Sequence, residues 1–328
     1  MAGGTDIVAV DLGGTHARFA IAHVAGDGAI ELGDPTTLRS KDHVSFQTAW
    51  EEYARLSGGT LPDNVALAVA GPITGEVIRF TNNPWIIRPA LINEKLGTRR
   101  YTIVNDFEAV AYAVAKLPKD FFIHLSGPEE PIAATGTISV IGPGTGLGVA
   151  HLWRGEGGDF RVQATEGGHT DYAPVDTIDD AILERLRRLH TRVSAERIVS
   201  GPGIVDIYHT LAGLEKRAVE ELTDIEIWTL GTSGEDSLAS AAVDRFCMAL
   251  GSVAGDIALV QGGFGGVVIA GGLGYRIRET LAASGFAGRF QNKGRYQQLM
   301  ADIPVKIVSH PQPGLLGAAT AFAREHLS

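Results

Sequence analysis

One pattern occurs twice in this chain and constrains its fold more than any other: an apolar run, a glycine-rich turn, and a second apolar run. The first copy is Ile7-Val8-Ala9-Val10, then Asp11-Leu12-Gly13-Gly14-Thr15, then His16-Ala17-Arg18-Phe19-Ala20-Ile21-Ala22. The second leads from Gly136 to Val140 into Ile141-Gly142-Pro143-Gly144-Thr145-Gly146-Leu147-Gly148 and returns through Val149-Ala150-His151-Leu152. Each predicts a β-hairpin, since short apolar runs flank a turn of small residues. Adjacent glycines let backbone amides approach a bound group with no Cβ in the way. Two related halves, each offering such amides, could clamp a polyphosphate. On local sequence alone, Asp11 serves equally well as a turn residue bonding its own backbone.

The 42 glycines cluster in turns of this kind rather than in a linker, at about twice the average usage of ~7%. At 328 residues the chain exceeds the size at which one core keeps growing, so two domains are expected. The net charge of −10 argues against a nucleic-acid or anionic-membrane partner, which needs clustered Lys and Arg. It leaves a nucleotide open, because amides and a divalent ion can hold phosphates. Cys247 is the one cysteine, which excludes an intrachain disulfide and a multi-cysteine zinc site. No run approaches the ~18 apolar residues of a membrane span, and the first residues carry no basic region. The cytoplasm is the expected compartment.

Along the chain, apolar periodicity predicts a strand over 30–38, a helix over 44–56 and a buried strand over 65–70. A polar loop, Thr81-Asn82-Asn83-Pro84-Trp85, follows. Two amides beside an indole suit a sugar; an Asn-Pro turn with Trp85 packed inward suits the same residues. Tyr101-Thr102-Ile103-Val104 is a further strand, and Val104-Asn105-Asp106-Phe107 joins it to a helical pattern running to about Leu117. An acid at that junction can cap the helix, or project a carboxylate from a sheet edge as a base. Glu166-Gly167-Gly168-His169 is a compact polar loop, and Ser194-Ala195-Glu196-Arg197 fits a helix start. Helices are predicted over 178–190, 202–211, 237–260 and 315–325, and strands over 267–270 and 305–308.

Gly-x-x-x-x-Gly-Lys-Ser/Thr, Gly-x-Gly-x-x-Gly and His-Glu-x-x-His are all absent from the sequence. Ser200-Gly201-Pro202-Gly203 departs from the Gly-x-Ser-x-Gly of a nucleophile turn. Two glycine hairpins, the Asp106 carboxylate and clusters of carboxylate, amide and imidazole remain. Phosphoryl transfer needs a cradle for phosphates, a divalent ion and a residue to orient or deprotonate the acceptor.

With these residues in place, the chain resembles the bacterial glucokinase family, within the actin-like ATPase and sugar-kinase superfold. The resemblance rests on Asp11-Leu12-Gly13-Gly14-Thr15, Ala70-Gly71-Pro72-Ile73-Thr74-Gly75, Val104-Asn105-Asp106-Phe107 and Gly144-Thr145-Gly146-Leu147-Gly148. Glu166-Gly167-Gly168-His169, Ser194-Ala195-Glu196-Arg197, Ser200-Gly201-Pro202-Gly203, Ala270-Gly271-Gly272 and Pro313-Gly314-Leu315-Leu316-Gly317 extend it through the carboxyl half. His16 stands where many members have Asn after the Gly-Gly-Thr turn. The related repressor and kinase family carries a multi-cysteine zinc motif that this chain lacks.

The resemblance implies an α/β fold of two ribonuclease-H-like domains with ATP and sugar in the cleft between them. The domains would span 1–106 and 107–314, with the helix over 315–328 packed back on the first. It implies ATP-dependent conversion of glucose to glucose 6-phosphate, with Asp106 as catalytic base. Sugar-binding residues would be Asn82, Asn83, Asn105, Asp106, Glu166, His169 and Glu196. The nucleotide would contact Val10, Asp11, Leu12, Gly13, Gly14, Thr15, Gly144, Thr145 and Gly146. Its adenosine side would lie against Gly271 and Gly272, with Mg2+ beside Asp11. A homodimer with no membrane or nucleic-acid partner is expected. The alternatives on the same fold are a kinase for another hexose or an N-acetylhexosamine, and a silent sugar-sensing regulator. The second is disfavoured by an intact Asp106 and by the absence of a helix-turn-helix extension before Asp6.

Overall fold

Apolar alternation sets the first sheet. In the computed structural model, which describes residues 4–80 and 83–327, β1 (Thr5–Leu12) and β2 (His16–Val24) form the first hairpin. The strand expected over 30–38 is two, β3 (Ile30–Leu32) and β4 (Thr36–Arg39). The Gly33 amide bonds the Ile21 carbonyl, and Pro35 has no N–H to continue the ladder. There follow α1 (Phe46–Leu56), β5 (Asn64–Val69), β6 (Ile78–Arg79), β7 (Ile86–Ile87), α2 (Ile92–Leu96), β8 (Arg100–Asn105) and α3 (Asp106–Lys116).

Next come β9 (Phe122–Ser126), β10 (Gly136–Pro143), β11 (Leu147–Arg154), β12 (Phe160–Thr165), α4 (Thr177–Leu189), α5 (Ala195–Ile198), α6 (Gly203–Leu214), α7 (Asp224–Ser233) and α8 (Ser237–Gln261). The chain closes with β13 (Val267–Ile269), α9 (Gly272–Arg276), α10 (Arg278–Ala283), α11 (Phe286–Gln291), α12 (Gln297–Ala301), β14 (Val305–Val308) and α13 (Pro313–His326).

The chain divides into two units, Met1–Leu117 with His310–Ser328, and Pro118–Ser309. In the first, the sheet order is β3-β2-β1-β5-β8, with β4 on β2. In the second it is β12-β11-β10-β13-β14, with β9 added at the far edge. Third, second, first, fourth, fifth: both hairpins open a sheet of the same order. The hairpin strands are antiparallel, β5, β8, β13 and β14 extend the sheets in parallel, and β9 is antiparallel to β14. This is the ribonuclease-H-like layout of actin-like ATPases and sugar kinases.

Period-two patterning gives unit 1 two unlike faces. Val8, Val10, Leu12, Val65, Leu67 and Val69 pack with α1 residues Phe46, Trp50 and Tyr53. Ala9, Ala66 and Ala68 face Leu315, Ala318, Ala319 and Phe322 of α13. Alanines on this face let helices lie close to the sheet, where larger residues would hold them off. At Gly317, a Cβ would overlap the Ala109 carbonyl of α3. That tight α3–α13 contact keeps α3 in unit 1, so the division falls after Leu117 rather than at 106. Trp85 is 2% exposed, packs near Phe46 and donates its indole N–H to the His43 carbonyl at 3.0 Å. Of the two roles open for this indole, the inward-packed one holds.

Unit 2 is built round α8, whose Phe246, Leu250 and Ala254 are fully buried. Asp236 caps it through the Ala239 amide, and Gly262 (φ 65°) ends it. Beside it lies a buried ionic cluster. Asp179, 1% exposed, receives Arg245 at 3.3 Å and Arg289 at 3.0 Å. Asp176 caps α4 and also pairs with both arginines. Charges removed from water persist only when matched in this way.

Candidate active site

In unit 1, Leu12 pairs with Val69, and Val69 with Asn105, so three parallel strands end side by side. That edge of an open α/β sheet is where ligands bind. It carries the Asp11–Thr15 turn, the Ala70-Gly71 turn and the head of α3. The Ala70 amide bonds the Leu12 carbonyl at 3.0 Å. Asn105 is the N-cap of α3: its side-chain oxygen accepts from the Phe107 amide at 2.9 Å and the Glu108 amide at 3.2 Å. Its Nδ2 donates to the Gly71 carbonyl at 3.1 Å. Asp106 is the first helical residue, half-buried, with Oδ1 accepting from the Phe107 amide at 2.9 Å. The capping task therefore rests on Asn105.

Asp11 faces Arg18 across the hairpin register, and Arg18 Nη1 donates to its Oδ2 at 3.0 Å. Burial pushes the Asp11 carboxyl above its usual range, against the opposing pull of that guanidinium. The first turn of α13 lies against the same group, since a Cβ on Gly314 would stand 3.0 Å from Asp11 Oδ2. Gly13 and Gly14 form the half-buried bend. The exposed Thr15 hydroxyl is 2.9 Å from His16 Nδ1, so the residue that departs from the family pattern touches the turn directly. Val10 and Leu12 are core residues with no exposure, their side chains turned into the packing of the sheet. Asn83 is 6% exposed, its Oδ1 accepting from the Trp85 amide at 2.9 Å, while its buried Nδ2 has no partner among the described residues. Asn82 lies outside the described residues.

In unit 2, parallel β10 and β13 end together, with the Ala270 amide bonding the Ile141 carbonyl at 2.8 Å. The turn Gly144-Thr145-Gly146 and the turn Gly271-Gly272 are thus neighbours. Gly271 has φ +89°, and a Cβ there would sit 3.4 Å from the Pro143 carbonyl oxygen. Gly144 and Gly272 need no left-handed φ, and a Cβ on either would meet nothing within 4 Å. Neither backbone strain nor packing within the chain calls for glycine at these two positions. Glycine there leaves the backbone open to an outside group.

The polar loops lie on the same turn. Leu147 N–H donates to Glu196 Oε2 at 2.8 Å, and a Cβ on Gly146 would overlap that oxygen. A Cβ on Gly168 would likewise overlap the Leu147 carbonyl. The Ala195 amide bonds the Thr170 carbonyl at 2.8 Å, tying the two loops together. His169 stands between two carboxylates, 3.9 Å from Glu166 Oε2 through Nε2 and 3.9 Å from Glu196 Oε1 through Nδ1. Glu166 and His169 are open to solvent and Glu196 is half-buried. Carboxylates and an imidazole at this spacing can both accept from and donate to ring hydroxyls. Among the described residues, no three His, Cys, Asp or Glu side chains gather to hold a metal by themselves.

Sequence reasoning found these residues but missed what fixes them: Arg18, the Gly71 carbonyl and the Leu147 amide. Arg18 was legible in principle, because a hairpin closing on Gly13-Gly14 sets it opposite Asp11. The other two are backbone groups brought up by distant segments.

A model of the glucokinase family matches residues 8–325. The chain is 51% identical over 321 residues to the glucokinase of Zymomonas mobilis subsp. mobilis, covering 98% of both proteins. It is 43% identical over 327 residues to that of Caulobacter vibrioides, covering 98% of this chain and 96% of the relative. The crystal structure of a glucokinase from an Antarctic psychrotroph superposes with a TM-score of 0.85 at 33% identity, covering 97% of this chain and 99% of that one. A hairpin repeat, two sheets of one strand order and a match along nearly the whole sequence agree: the chain belongs to the glucokinase family.

Proposed function

We infer that this protein is an ATP-dependent kinase that converts glucose to glucose 6-phosphate. Family membership along residues 8–325 carries the reading, together with 51% identity to a glucokinase over nearly the full length of both chains. Asp106 is the base in this reading. It takes the proton of the sugar's 6-hydroxyl as that oxygen bonds the γ-phosphorus. The bond from phosphorus to the β–γ bridging oxygen breaks, and ADP leaves. Asn105 and Asn83 in unit 1, and Glu166, His169 and Glu196 in unit 2, bind ring hydroxyls. A wrong sugar would leave such groups unpaired, which discriminates strongly.

Phosphates are held by the amides of Gly14, Thr15, Thr145 and Gly146, while Gly13 and Gly144, whose own amides close their turns on the His16 and Gly146 carbonyls, leave room for the approach; adenosine lies against Gly271 and Gly272. The open space at Gly144 and Gly272 supports this part. Asp11 would hold Mg2+. A single protein carboxylate fits that ion, which keeps several waters and takes its other ligands from substrate phosphates. When bound, magnesium supplies charge neutralisation on the β- and γ-phosphates. A cytoplasmic homodimer is part of the same reading; among the described residues no helix is long and apolar enough to cross a membrane.

The test is a coupled assay with purified protein across glucose, mannose, fructose and N-acetylhexosamines, with ATP, ADP and polyphosphate as donors. Glucose with ATP is expected to give the highest kcat/KM. Turnover of another sugar or donor in preference, or none with glucose, overturns the assignment.

A further inference from the structure

Ser200-Gly201-Pro202-Gly203 has no part in the chemistry above, yet it holds the second glycine turn. The Gly201 amide donates to the Gly144 carbonyl at 2.7 Å, and the Gly144 amide donates to the Gly146 carbonyl at 2.8 Å. Glu196, five residues before Gly201 in the chain, grips the far end of the turn through the Leu147 amide. The bracket is itself tightly made, since a Cβ on Gly203 would overlap the Ile198 carbonyl. Behind it stands Trp228 of α7, whose Nε1–H donates to the Gly201 carbonyl at 3.0 Å.

Trp228 is 6% exposed, and its ring meets Phe246 edge-on, at 4.9 Å between centroids and 87° between planes. Apolar packing alone would be served by phenylalanine. An indole also brings a buried N–H that must find an acceptor, and this one finds the residue that fixes Gly144. A buried polar network with its partners satisfied rigidifies the backbone it joins. We propose that Trp228 is a positioning residue for the nucleotide: through Gly201 it sets the Gly144 carbonyl and so the aim of the Thr145 and Gly146 amides. The proposal rests on the reading of that turn as a phosphate cradle.

The test measures ATP and glucose binding by calorimetry, with a thermal melt, on the full-length chain and its variants W228F, F246L, G201A and G144A. W228F keeps a ring against Phe246 and removes only the donor. It should weaken ATP binding about three- to tenfold, the size of coupling carried by packed networks, and leave glucose binding unchanged. F246L loosens the same packing but keeps the N–H, so it should lower Tm without changing ATP affinity. In G201A a Cβ would stand 3.2 Å from the Gly144 oxygen, so it should reproduce the ATP-selective loss; if W228F does not fold, G201A decides. Equal ATP loss in W228F and F246L makes Trp228 a packing residue and overturns the proposal. So does unchanged ATP affinity in W228F, or in G201A where it decides, while G144A weakens it. If G144A also leaves ATP binding intact, the cradle reading falls and takes the proposal with it.

Discussion

Replacing Asp106 with Asn separates catalysis from helix capping more sharply than the sequence alone allowed. Asn105 carries the cap, with bonds from the Phe107 and Glu108 amides, and is untouched by the change. Asp106 Oδ1 accepts from the Phe107 amide at 2.9 Å, a bond that an Asn oxygen can keep. The first-turn negative charge that the change removes from the helix dipole is worth about 0.3–1 kcal/mol. For a unit of this size that lowers Tm by about 1–4 °C. What is lost chemically is a group able to take a proton at neutral pH, since an amide cannot. Loss of a positioned base lowers turnover by about 10²–10⁴, or about 3–5 kcal/mol of barrier. The catalytic loss is several times the stability loss, so the two readings do not overlap. Calorimetry should show near-normal glucose affinity, and a coupled assay on the same preparation should show the fall in kcat. That pattern means stabilisation lost in the transition state rather than the ground state. A variant keeping more than about a third of wild-type turnover falls outside the range for a lost base and refutes the role.

The two glycines of the second turn should respond differently. Gly144→Ala points a Cβ into open space and should weaken ATP binding while sparing glucose. Gly146→Ala drives a Cβ into Glu196 and should weaken both ligands; the reverse pattern in calorimetry counts against the cradle. Gly317→Ala forces α13 off the Ala109 carbonyl and should cost about 1–3 kcal/mol of stability, read as a lower urea midpoint. A midpoint unchanged from wild type denies the close α3–α13 contact. Burial raises the Asp176 carboxyl, but bonds from the Asp179 amide and the Arg245 guanidinium outweigh it and hold the group below the usual range. A depressed folded value stabilises above the unfolded pKa and is lost as pH falls through the folded one. Asp176→Asn keeps a capping side chain, so its Tm deficit should be largest near neutral pH and vanish in acid; a pH-independent deficit excludes the ionic contribution.

The local grammar of this chain was legible without coordinates. Hairpins at Asp11–Thr15 and Gly142–Gly148, alternation in β1 and β5, and the acid at the head of α3 depend on steric and hydrogen-bond preferences acting over a few residues. Those preferences do not depend on what lies across the fold. They also leave weak traces in short elements, so β9, β12, α7 and the run from α9 to α12 went unpredicted, most of them too brief to show a period. Tertiary packing decided the rest. Trp85 turned inward because Phe46 and the His43 carbonyl receive it, and Val10 and Leu12 face a core that α1 completes. Asn105 took the cap because Gly71, at the end of the neighbouring strand, holds its amide. The chain divided after Leu117 because Gly317 lets α13 seat on α3. In each case the deciding atom belongs to a segment distant in the chain, and only the folded backbone brings it within bonding range.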